Sequence, residues 1–222
     1  MSQKFNEIRE RTNGICLVAV AKGQSVEKIK EVLKAGQLDF GENYAQEMLE
    51  HVEALLAAPF GARQGPIRWH FIGHLQRNKV RLLIDKTTLI HSVDSIPLAH
   101  EIDRRAAEAD KIQEVLVEIN LGGESSKSGI GPVDADALVA EISKLDHLRL
   151  KGLMTLPPFS DDPEKSRPYF QKLREIRDAI NRRNLYKYPL TELSMGMTHD
   201  FEVAIQEGAT IVRIGTGIFG AR

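Results

Sequence analysis

The sequence predicts an α/β fold, a single closed (β/α)8 barrel of the TIM type. Three observations lead there. Short apolar runs alternate with amphipathic stretches along the whole chain. There are eight such runs, more than the open doubly wound sheet that is the alternative usually contains. The 222 residues suit one barrel of about 200–250 residues. No linker, low-complexity segment or second domain interrupts them, so residues 1–222 are read as one domain.

The elements follow in order. "ICLVAVA" (15–21) is a strand buried on both faces, and "SVEKIKEVLKAG" (25–36) a helix with Ser25 as N-cap and Gly36 as stop. A short strand at 38–43 leads into a helix at 44–57, then a Pro/Gly-rich loop, "PFGARQGP". Strands at 67–73, 88–94, 112–120 and 148–156 are separated by helices at 77–84, 97–109 and 134–145. The next helix starts after Asp162 as N-cap, with Pro163 in the first turn where its missing N–H costs nothing, and runs to about Asn181. Strand 192–196, helix 200–209 and strand 211–217 complete the set. The chain ends "IFGAR", so no eighth helix is expected, and the amphipathic opening segment Gln3–Arg11 is read as covering its place.

Composition excludes several classes. Apolar residues make up 42% and charged residues 27%, and 30 Lys+Arg against 31 Asp+Glu give a net charge of −1. That balance offers nothing to nucleic acid or an anionic membrane. The single cysteine, Cys16, excludes an intramolecular disulfide framework and fits a reducing compartment. With no signal-like N-terminus and no apolar stretch near the ~20 residues of a bilayer span, the expectation is a cytoplasmic, soluble protein.

In such a barrel, chemistry sits where strands end. Lys22 stands at the end of the first strand, immediately before a glycine. A lysine partly removed from water deprotonates more easily and can attack a carbonyl as a Schiff-base nucleophile. Phosphate sites recur after strands 7 and 8, and here those loops read "SMGMTHD" and "IGTG". Glycines admit backbone N–H groups to an anion, and Ser194 and Thr216 supply hydroxyls. Closure puts strands 8 and 1 side by side, so a phosphorylated aldehyde would use both features. Period 2 aligns Arg213 with Gly215 on one face, and an inward arginine needs a partner: a ring nitrogen, a carboxylate of the ligand, or Glu118.

Three patterns are set aside. His70 and His74 have helical zinc spacing but fall on a strand without a third ligand, so no metal is expected. "GGESSKSGIG" (122–131) lacks the Gly-Lys-Ser/Thr order of a Walker loop and reads as a flexible loop or lid. "QRNKVR" (76–81) reads as a solvated basic helix face.

"VAVAKG", "FGENYAQE", "WHFIGHLQRNK", "HSVD", "EINL", "KSGI", "KGLMTL", "LSMGMTHDFEVAI" and "VRIGTGIFGAR" together resemble the pyridoxal 5′-phosphate (PLP) homeostasis proteins, over residues 15–222 and in the family's order. The resemblance implies a fold-type III PLP-binding barrel like the N-terminal domain of alanine racemase. It implies that Lys22 forms the internal aldimine, that Arg213 faces the pyridine nitrogen, that Ser194, Gly215 and Thr216 surround the phosphate, and that Asn43 of "GEN" lies beside the cofactor. It implies a role in vitamin B6 balance as carrier or regulator, through transient contact with PLP-dependent enzymes and without established turnover. His199 departs from the small or acidic residues common there, and so bears on affinity.

A weak catalyst or none fits the residues. Arginine, with a pKa above about 12, does not hand a ring nitrogen a proton. A racemase of this fold also needs a second base, a tyrosine from an additional domain that a chain ending at Arg222 does not contain. A PLP-dependent racemase and a Schiff-base aldolase remain the alternatives.

Overall fold

In the computed structural model, residues 2–56, 66–124 and 128–220 are described. Most of the "PFGARQGP" loop and Lys127 of the 122–131 loop lie outside them. Eight parallel strands close into a barrel in sequence order. They are β1 Cys16–Val20, β2 Asp39–Glu42, β3 Arg68–Phe71, β4 Leu89–Val93, β5 Gln113–Glu118, β6 Leu148–Met154, β7 Glu192–Ser194 and β8 Ile211–Ile214.

Helices α1 (Ser2–Arg11), α2 (Val26–Lys34), α3 (Ala45–Leu56), α4 (Val80–Leu83), α5 (Ile96–Glu108), α6 (Ala135–Ile142), α7 (Arg167–Arg182), α8 (Phe201–Gln206) and α9 (Thr216–Phe219) surround the barrel. The capping signals act as read. Ser25 accepts from the Lys28 N–H, Asp162 accepts from the Glu164 N–H ahead of a 3₁₀ turn, and Gly36 takes φ +96° after α2.

At the end of the chain the structure differs from the sequence reading in a way that bears on the site. The eighth strand stops at Ile214 rather than running to residue 217, because Gly215 opens a helical turn. The chain therefore does carry an eighth helix after its last strand, only one turn long. Helix α1 packs against that turn and buries Phe5 and Ile8, so the opening segment lies where it was expected. Gly217 makes the fit possible: a Cβ there would lie 3.0 Å from Ile8 Cδ1 and 3.1 Å from Thr198 Cγ2.

Most of the apolar core lies outside the barrel wall, between strands and helices: Phe40, Phe71, Ile90, Val117, Leu153 and Val212 face Ile29, Met48, Leu98, Ile102 and Phe170. Inside the barrel a smaller cluster of Val18, Leu89, Leu116, Met154 and Ile211 packs together. No helix among the described residues is long and apolar enough to cross a membrane.

Candidate functional site

The C-terminal ends of β1 and β8 meet as the closure requires. Ala19 pairs with Ile214, and the site of a Cβ on Gly215 would be 3.5 Å from Val20 Cβ. Lys22 therefore emerges beside the Gly215–Thr216 turn. It is half-buried, and its Nζ sits 5.0 Å from the centre of the Tyr44 ring, within cation–π range.

The segment carrying Lys22 is pinned from below. Gly23 N–H donates to Glu47 Oε1, Gln24 N–H to the Ala21 carbonyl (2.9 Å), and His51 Nε2 lies 3.1 Å from the Gln24 carbonyl. The other nitrogen of His51 is 2.8 Å from Glu42 Oε1. Burial raises the Glu42 pKa more than His51 lowers it. Burial pulls His51 down, but its bond to Glu42 outweighs this and its pKa rises. The two groups form one interacting pair behind the lysine loop.

Arg213 points into the barrel and is 3% exposed. Its Nη1 donates to Ser194 Oγ (2.5 Å) and its Nη2 to the Thr155 carbonyl (3.0 Å). Glu118 acts on it through charge rather than as the direct partner that one reading of the sequence allowed. Burial pulls the guanidinium down to about 10, below the ordinary arginine range but still cationic at neutral pH. Burial, then the charge of Asp94, pushes Glu118 up to about 7.

The Ser194 hydroxyl is fully buried beneath the mouth and engaged by Arg213 and by His91 Nδ1 (2.8 Å). Thr198, in the loop that follows β7 and not singled out from the sequence, lies beside Thr216. Its hydroxyl accepts from the Thr216 hydroxyl (3.3 Å) and from Gly217 N–H (3.2 Å). Asp200 fixes this loop by accepting from Met197 N–H and Ser166 Oγ, each at 2.8 Å, and Gly196 makes its turn at φ +92°. His199 is exposed and turned outward, its Nε2 2.9 Å from the Asp161 carbonyl and its ring beside Phe159.

Asn43 lies half-buried at the end of β2 and lines a cavity of about 550 Å³ with Tyr44, Gln46, His74 and Lys79. His70 and His74 part company: the first points into the barrel, and the second is solvent-facing, 3.3 Å from Asp94. Two groups of possible metal-ligating atoms do come within 4.8 Å of each other, Cys16/Asp39/His70 and Glu42/Glu47/His51. One member of each group is already engaged: Asp39 is held by Arg68 and His70, and His51 by Glu42 and the Gln24 carbonyl.

The chain matches the family model "Alanine racemase, N-terminal domain" over residues 1–222. Pyridoxal phosphate homeostasis protein of Aquifex aeolicus is 47% identical over 206 residues, covering 93% of this chain and 86% of that protein. This chain belongs to the pyridoxal phosphate homeostasis protein family. The Escherichia coli member is 40% identical over 94% of this chain and 86% of its own length. Among solved structures, PipY of Synechococcus elongatus with PLP bound superimposes with a TM-score of 0.89 at 31% identity, covering 99% of both chains. Alanine racemase of Clostridium difficile, at 18% identity and TM-score 0.76, shares the fold over 56% of its length.

Proposed function

We propose that this member of the family binds PLP at the C-terminal mouth of the barrel and serves as a carrier or regulator of the cofactor. The observation that carries the reading is the adjacency of β1, which leads into Lys22, and β8, which carries the buried Arg213 cation and leads into Thr216, itself bonded to Thr198. That donor set fits a ligand with an aldehyde at one end and a phosphate at another. Lys22 Nζ holds the aldehyde covalently. Thr198, Gly215 and Thr216 hold the phosphate, and Asn43 lies beside the ring.

Bound PLP supplies an electron sink whose strength depends on a proton on its ring nitrogen. Arg213, cationic at neutral pH, donates a hydrogen bond to that nitrogen and leaves it unprotonated. The sink is thereby kept weak, which suits storage and delivery better than turnover. The PLP-bound relative and the family's name support the cofactor; the covalent link and the carrier role are our reading.

Borohydride reduction of the PLP-loaded protein, followed by peptide mass mapping, tests it. A phosphopyridoxyl label on the peptide containing Lys22 is expected. Label on other lysines, with Lys22 unmodified, contradicts the assignment.

A further inference from the structure

Below the mouth, a continuous line of side chains crosses the barrel interior. It runs from Arg213 on β8 to Ser194 on β7, His91 on β4, His70 on β3 and Asp39 on β2. The links are Arg213 Nη1 to Ser194 Oγ (2.5 Å), Ser194 Oγ to His91 Nδ1 (2.8 Å), His91 Nε2 to His70 Nδ1 (2.9 Å) and His70 Nε2 to Asp39 Oδ1 (3.1 Å). Arg68 closes the far end on both oxygens of Asp39. Arg213, Ser194, His91 and His70 are at most 4% exposed. The bond from β7 to β4 spans the lumen, because those strands are not neighbours.

The ends fix the outermost bonds, and neutral imidazoles carrying their protons on Nε2 complete a one-way arrangement between them. Arginine can only donate, so Ser194 accepts from it, and in this arrangement it turns its own O–H to His91 Nδ1. His91 then carries its proton on Nε2 and gives it to His70 Nδ1, and His70 gives Nε2–H to Asp39. At the other end an ionised carboxylate can only accept, so His70 Nε2 carries a proton. Both imidazoles are neutral in this arrangement. In this arrangement a second proton on His70 Nδ1 would be set against the His91 Nε2–H. Burial holds His91 well below its usual range, with the Arg213 charge acting in the same direction, in keeping with a neutral His91. Burial raises Asp39, but the bonds from His70 and Arg68 outweigh it and keep the carboxyl ionised.

Two imidazoles here replace branched apolar side chains that commonly fill such a barrel. A buried polar chain is tolerable only when every member is satisfied, and this one is. We propose that His91, His70 and Asp39 are positioning residues for the cofactor: a one-way relay that locks the Ser194 hydroxyl as an acceptor and thereby fixes the plane of the Arg213 guanidinium under the ring. The inference rests on the PLP reading above. Without the relay, the Ser194 hydroxyl is free to rotate, and the Thr155 carbonyl is the only acceptor of Arg213 held in a fixed direction.

The test uses the full chain loaded with PLP, and compares His91→Phe with His91→Gln. The glutamine amide can accept from Ser194 and donate toward His70. Loss of a bond to a charged group should speed PLP release about tenfold in His91→Phe and shift the absorption band of the bound cofactor, while His91→Gln stays within about twofold of wild type. In an Arg213→Leu background, His91→Phe should add less than about twofold, because its effect passes through Arg213. A full tenfold loss in that background means a general packing role and overturns the inference, as does a His91→Phe protein that behaves like wild type.

Should His91→Phe not fold, ¹⁵N imidazole shifts of the unliganded wild type decide. Both histidines should be Nε2–H tautomers at neutral pH, and His91 should not titrate between about pH 5.5 and 8.5. An Nδ1–H tautomer or an imidazolium at either position overturns the relay. A wild type that binds no PLP overturns the reading of the site and this inference together; a wild type that binds it with the wrong tautomers overturns the relay alone.

Discussion

The outward face of the barrel wall carries Phe40, Phe71, Ile90, Val117, Leu153 and Val212 against a layer of helices. The inward face carries Asp39, His70, His91, Glu118, Ser194 and Arg213 above and beside a small apolar cluster. Adjacent residues of one strand thus serve opposite ends: Phe40 packs outward while Asp39 bonds inward, and Val212 packs while Arg213 bonds. Period 2 makes the separation possible. Stability is concentrated outside the wall, where apolar area is removed from water, and chemistry inside, where low dielectric strengthens each polar contact. Mutations on the two faces should therefore have effects of different kinds.

The largest effect should come from the outer layer. Phe170 on α7 is fully buried there, and Phe170→Ala should lower unfolding free energy by about 3–5 kcal/mol in urea titrations. PLP affinity of the protein that remains folded should stay within about twofold. A tenfold affinity loss would mean that the two faces are not separable.

Next is the phosphate end of the site. Pyridoxal, which lacks the phosphate, should bind at least about a hundredfold more weakly than PLP by equilibrium titration, since several bonds to a charged group are lost. Thr198→Val should account for about tenfold of that by the same titration. Ser194→Ala should leave the preference for PLP over pyridoxal nearly intact. If Ser194→Ala erases the preference and Thr198→Val does not, the roles assigned to the two hydroxyls are reversed.

The inward face should also carry a pH dependence of opposite sign to that of paired carboxylates. Burial raises Glu118 to about 7, so the folded protein binds a proton that the unfolded chain has already released. Wild-type stability should fall relative to Glu118→Gln as pH rises from about 4.3 through about 7, by on the order of 1–3 kcal/mol, and then level off. Urea unfolding of both proteins across that range checks the sign. A difference independent of pH would remove Glu118 from the account.

The smallest stability effect belongs to the residue with the largest chemical one. Lys22 is half-buried at the mouth, outside both layers, so Lys22→Ala should change stability by no more than about 0.5 kcal/mol. It should nonetheless abolish borohydride labelling.

The sequence by itself determined the barrel, because eight runs with period 2 followed by helices with period 3.6 have few other ways to bury their apolar faces. It determined that Lys22 stands at the end of the first strand and that Gly215 and Thr216 lie at the end of the last, since these are properties of neighbours along the chain. The helical turn at Thr216–Phe219 escaped it because one turn is too short to show a period. The partners of Ser194 and the line through His91 and His70 escaped it for a different reason. Each link joins residues up to 103 positions apart, and local sequence carries no record of which inward side chains meet across a lumen. Closure of the barrel decided that, and with it the difference between Ser194 as a support for Arg213 and Thr198 as the hydroxyl at the mouth.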